Sequence, residues 1–72
     1  MKTYSVVLKI QGIKHKSKKT TNNRMIFGTT TDASLSSTID MVKKMMSLDY
    51  KDVVNAELEL TSNMEVRKII LK

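Results

Sequence analysis

The chain predicts an α+β two-layer sandwich, β-β-α-β-β, with one helix packed on a four-stranded, mainly antiparallel sheet. Three observations lead there. Tyr4, Val6, Leu8 and Ile10 alternate with Ser5, Val7, Lys9 and Gln11, the period of two of a strand with one buried face. After Asp52 the same period returns, with Val54, Ala56, Leu58 and Leu60 inward and Asn55, Glu57, Glu59 and Thr61 outward. Between them, Leu35, Ile39, Val42 and Met46 recur at steps of four, three and four, one stripe of a helix that faces a core. A single helix covers one face of a sheet, so two layers are the economical packing.

Taken in order, the first strand runs over about residues 3–14. Lys14 to Asn23 is polar and basic and ends Thr-Thr-Asn-Asn, which predicts a turn or long hairpin tip and places a basic β-hairpin at about 14–24. Met25, Ile26 and Phe27 restart an apolar run that passes through Gly28 to Thr31, and the glycine predicts a bulge. Asp32 or Ser34 is expected to cap the helix, because either side-chain oxygen accepts from the unpaired N–H groups of a first turn. The helix should stop near Ser47–Asp49, with Asp49, Tyr50 and Asp52 in the connection that follows. Ser62-Asn63-Met64 reads as a short turn before a last strand, Val66 to Leu71, rich in β-branched residues. Pairing strand one antiparallel with strand three sets Lys9 among Glu57 and Glu59 and keeps both inward faces apolar, so the order 2-1-3-4 is expected. Val7, Ile26 and one of Ile69 and Ile70 then fall on the face opposite the helix.

At 72 residues this is one small domain, 1–72, near the lower limit at which an apolar core offsets chain entropy. It has no cysteine and one histidine, which excludes a disulfide scaffold, a Cys/His zinc module and a redox motif, and fits a reducing cytoplasm. No stretch approaches the roughly 18 apolar residues of a membrane span. The net charge of +6 is segregated. Residues 1–31 carry Lys2, Lys9, Lys14, Lys16, Lys18, Lys19 and Arg24 and no acid, whereas residues 32–72 carry six bases and all seven acids. Eleven lysines against two arginines, with Asn and Met plentiful, are residue types written by A/T-rich codons, as in many phages and low-GC bacteria.

Catalysis has little material. His15 is the only side chain that ordinarily titrates near neutrality, and it sits between Lys14 and Lys16 on a polar segment. Glu57 and Glu59 share a strand face, but alternation demands outward polar residues there in any case. Gly12 and Gly28 stand alone, without the spaced glycines of a phosphate loop. No catalytic residue, metal ligand or cofactor site is therefore assigned, and an enzyme is not expected.

Binding has more. Lys14, His15, Lys16, Lys18 and Lys19, with Asn23 and Arg24 across the hairpin, form the candidate site for nucleic acid or another acidic partner. Met41, Met45 and Leu48 make a second helical stripe, displaced from the first, and are the candidate protein interface. Something should cover that stripe, and a second copy of the chain is the cheapest cover. The leading expectation is a small non-enzymatic protein that occupies a partner's surface stoichiometrically, as phage-type inhibitors of host nucleic-acid-handling or defence proteins do. The alternative is a nucleic-acid-binding accessory protein that uses the basic hairpin.

Overall fold

The structure is a computed structural model and describes residues 2–72. Its elements are β1 (Thr3–Lys14), β2 (Thr20–Thr31), α1 (Leu35–Asp49), β3 (Tyr50–Thr61) and β4 (Val66–Ile70). The four strands form one antiparallel sheet in the order β2-β1-β3-β4, with α1 on one face. The fold class and strand order expected from the sequence both hold.

The core lies between α1 and the two central strands. Tyr4, Val6, Leu8 and Ile10 of β1 and Ala56, Leu58 and Leu60 of β3 are buried beneath Val42 and Met46 of the helix. Leu35, Ile39, Met25, Phe27 and Ile69 close its margins. Each fully buried Leu or Val in that layer contributes about 1.5–3 kcal/mol of transfer free energy, which is how so short a chain holds one helix on one sheet. On the other face Lys9 lies opposite Glu57, and its Nζ pairs with Glu59 at 3.1 Å.

Three bulges interrupt the ladders and account for most departures from strict alternation. In β2, Ser5 pairs with Thr29 and Val7 with Ile26, so Phe27 and Gly28 together oppose Val6. Gly28 takes φ +83°, a left-handed value that a residue without Cβ adopts freely, and the expected bulge is there. In β3, Gln11 pairs with Asn55 and Gly12 with Val53, which leaves Val54 as an extra residue; Ile13 pairs with Asp52 and Lys14 with Tyr50, which leaves Lys51. Val54, expected inward, is consequently 48% exposed, and Val53 takes the inward place. Tyr50, expected in a connection, is the first residue of β3 and is 3% exposed in the core. A period of two presumes that every residue has a partner, and two extra residues in one strand shift the phase twice.

The coiling of β3 also explains Gly12. A Cβ there would overlap the Asp52 carbonyl oxygen, and would sit 3.1 Å from Val53 Cα and 3.2 Å from the Tyr50 ring. Only a residue without a side chain lets the bulged start of β3 close onto β1.

The helix start departs from expectation as well. Ser34 holds the N-cap position but at φ −98°, ψ −2°, and makes no side-chain capping bond. Extended backbone is what aims a capping oxygen at the first turn. Here a tight turn, in which the Ser34 N–H donates to the Thr31 carbonyl at 3.1 Å, keeps Ser34 helical instead. Asp32 does not cap either, because its carboxylate accepts from Arg67 at 3.2 Å. The buried Thr30 hydroxyl meets that of Thr38 at 2.8 Å and fastens β2 to the first helical turns.

Candidate functional site

The basic hairpin is shorter and better anchored than its composition implies. β2 begins at Thr20, so only residues 15–19 form the turn, while Asn22, Asn23 and Arg24 lie within the strand. Pairing of Lys14 with Tyr50 brings β3 alongside almost to the tip, and no free two-stranded arm projects. The turn is pinned to the carboxyl end of α1. The His15 N–H donates to the Asp49 carbonyl at 3.2 Å, and His15 Nε2 faces the Ser47 carbonyl at 3.4 Å. Lys51 Nζ donates to the Ser17 carbonyl at 3.1 Å, and Lys14 Nζ lies 5.9 Å from the centre of the Tyr50 ring. Positive charge is favoured where the last helical carbonyls point. Lys16 adopts φ 67°, a left-handed conformation that costs a non-glycine residue about 1 kcal/mol. Lys14, Lys16, Lys18 and Lys19 are all exposed.

Register separates the other two hairpin residues. Asn23 pairs with Ile10 and points to the helix side, where its Nδ2 donates to the Tyr50 hydroxyl at 2.9 Å and to Thr21 Oγ1 at 3.0 Å. It is a structural clamp on the buried tyrosine and is not presented beside the lysines. Arg24 pairs with Lys9 on the open face of the sheet, some five residues and about 17 Å back from the turn.

On the helix, Met41 and Leu48 are 50% and 70% exposed, one heptad apart on the same flank, whereas Met45 between them packs partly against the core. Of the second stripe, two members are therefore free and one is largely structural. Leu48 sits in the last turn of α1, the same helix end whose Ser47 and Asp49 carbonyls hold His15.

The open face carries an arrangement that composition did not reveal. Gln11 pairs with Asn22 on one side and Asn55 on the other, and the Asn55 Nδ2 donates to Gln11 Oε1 at 2.9 Å. The next row is Arg24, Lys9, Glu57 and Ile70. Together these rows floor a hollow of about 580 Å³, with Lys72 also on its wall. The signal was present in the sequence: once Lys9 is set opposite Glu57, two steps along both strands bring Gln11 to Asn55. Val7, Ile26 and Ile70 occupy this face as expected, the last two 80% and 69% exposed.

At the far end of the molecule charges are paired. Lys2 Nζ donates to Glu65 Oε1 at 2.6 Å, and the Tyr4 hydroxyl donates to the same oxygen at 3.3 Å. Arg67 lies over the Tyr4 ring at 5.6 Å while bonding Asp32. The hydrogen bond from Lys2, aided by its charge, holds the Glu65 carboxyl below its ordinary range, and Lys9 does the same for Glu59.

No helix among the described residues is long and apolar enough to cross a membrane. No family model, characterised protein or solved structure matches this chain.

Proposed function

We propose that this chain is a small non-enzymatic binding protein of the cytoplasm that acts by stoichiometric occupation of a partner protein's surface. A phage- or mobile-element-type inhibitor of a host nucleic-acid-handling or defence protein is the reading that its composition favours. One observation supports the binding surface: α1 exposes Met41 and Leu48, and its carboxyl end holds the turn that carries the exposed cations, through the bonds of His15 to the Ser47 and Asp49 carbonyls. That combination fits an apolar spot rimmed by acidic groups. The apolar centre supplies affinity through desolvation, and the lysines steer encounter and select against basic surfaces.

The test compares the wild-type chain with a Met41→Glu, Leu48→Glu variant, both carrying an affinity tag, in nuclease-treated lysate of the native host. A protein retained by the first and lost by the second, and then shown to bind purified wild-type chain in equimolar ratio by sedimentation, supports the proposal. Equal retention by both, or loss of every partner on nuclease treatment, sinks it. Because both substituted side chains are exposed, the variant should keep its wild-type circular dichroism. The same sedimentation run reports whether the free chain pairs with itself through this flank.

A further inference from the structure

We propose that the open face of the sheet binds single-stranded nucleic acid, with Gln11, Asn22, Asn55 and Glu57 hydrogen-bonding base edges and Arg24 and Lys72 receiving the phosphates. This is independent of the helix flank, which lies in the other layer.

Strand register assembles the site. Three side-chain amides from three adjacent strands stand in one row across the sheet. Each amide offers both a donor pair and an acceptor, the combination that reads the edges of bases. Among the described residues only one of the contacts they can make is satisfied internally, the Asn55 to Gln11 bond. Glu57 stands one row away and makes no ion pair within 4 Å among the described residues; a carboxylate in that place accepts from an exocyclic amino group.

Charge identifies the occupant. Glu59, the other acid of this face, is already tied to Lys9, which leaves Arg24 and Lys72 on the hollow without a carboxylate partner among the described residues. From the hollow the surface continues along β1 and β2 to the exposed lysines of the turn, so a polyanion entering the hollow meets cations along its exit. The hollow's volume, about 580 Å³, lies in the range that holds one or two small ligand units.

Single strands fit better than duplex for two reasons. Base edges are free to meet a broad sheet face only when unpaired. A duplex groove admits a helix or a two-stranded ribbon, and here the hairpin is flanked by β3 as far as Lys14. The face carries no aromatic side chain, since Tyr4 and Tyr50 are buried and Phe27 packs against the core. Stacking therefore contributes nothing, and the affinity should be modest and strongly salt-dependent.

The experiment is a titration of the full chain, labelled with nitrogen-15, by mixed-sequence DNA and RNA oligonucleotides of about 12 nucleotides. The same DNA as a duplex and an oligoglutamate of similar charge serve as competitors. Shifts of the side-chain amide resonances of Gln11, Asn22 and Asn55 with either single strand support the proposal, and the tighter of the two names the sugar. Arg24→Gln should keep the wild-type melting profile and reduce the log–log salt slope by about 0.7, the value of one single-strand phosphate contact. Asn55→Ala should weaken binding by about fivefold or more, the lower end of a lost base-edge contact. Absence of binding at low salt overturns the proposal. So do shifts confined to residues 14–19, stronger binding of the duplex, or an equal response to oligoglutamate, which would assign the face to an acidic protein. Met41→Glu with Leu48→Glu should leave this titration unchanged, so failure here and failure of the partner-protein reading are separable.

Discussion

The two ends of this 42 Å long molecule solve the problem of surface charge in opposite ways. At the end built from the start of β1, the start of α1 and the β3–β4 turn, Lys2 and Arg67 are matched to Glu65 and Asp32 around the Tyr4 hydroxyl. At the other, Lys14 ends β1 and Lys16, Lys18 and Lys19 crowd the five-residue turn, and although the backbones of Asp49 and Asp52 meet His15 and Ile13, none of these cations is within ion-pair distance of a carboxylate among the described residues. What holds the basic end is packing beneath the charges: Gly12 against the bulged start of β3, and Tyr50 clamped by Asn23. One end neutralises itself, and the other leaves its cations without a carboxylate partner among the described residues.

The largest expected effect breaks the packing under the basic end. Gly12→Ala places a methyl group against the Asp52 carbonyl, a backbone atom that cannot swing aside, and should cost about 2 kcal/mol or more in urea denaturation. A midpoint within experimental error of wild type would mean that β3 shifts freely there. Next comes Tyr50→Phe, which leaves the ring in place but removes the hydroxyl that accepts from Asn23; about 1 kcal/mol is expected. Asn23→Ala in the same background should then add little, and a fully additive second loss would contradict the clamp.

The charge-paired end should respond to pH instead. Glu65 is held below its ordinary range by Lys2, so its contribution is fully present above the unfolded carboxyl value, near pH 5 and higher, and fades as pH falls through the lowered folded value. Glu65→Gln should therefore differ from wild type at pH 7 and converge with it as pH falls through the lowered folded value. A difference that grows on acidification would reverse the assignment. The smallest change is expected from replacing Lys14, Lys16, Lys18 and Lys19 by Gln, which should move stability by no more than about 0.5 kcal/mol. Any shift should be toward greater stability at low salt, because like charges are being removed.

Legibility follows the same division. Element order, strand order and the inward faces of β1 and the helix were readable, because Tyr4, Val6, Leu8 and Ile10, and Val42 with Met46, keep an unbroken period. Tyr50, Val53 and Val54 were not, because two bulges within six residues alter the phase with no glycine or proline in β3 itself, and the glycine that accommodates them, Gly12, lies on β1 far away in the chain. Asn23 and Arg24 look alike as polar neighbours of a lysine run, and only the register shows that one serves the core and the other the open face. The row of Gln11, Asn22 and Asn55 is a property of pairing between strands distant in the chain, invisible to any reading of one segment at a time.

The bulge at Phe27–Gly28 has a consequence for how the molecule meets copies of itself. β2 is an outer strand of twelve residues, and an outer strand of that length, if flat, offers a row of unbonded backbone groups on which another chain's strand can grow. The left-handed glycine bends that row out of register partway along, and the other outer strand, β4, is only five residues and carries Arg67 and Lys68. Growth by strand addition would have to follow a broken template on one side and a short, positively charged one on the other. Both margins are thus poor templates for strand addition, which leaves the two faces and the lysine tip as the surfaces open to contact.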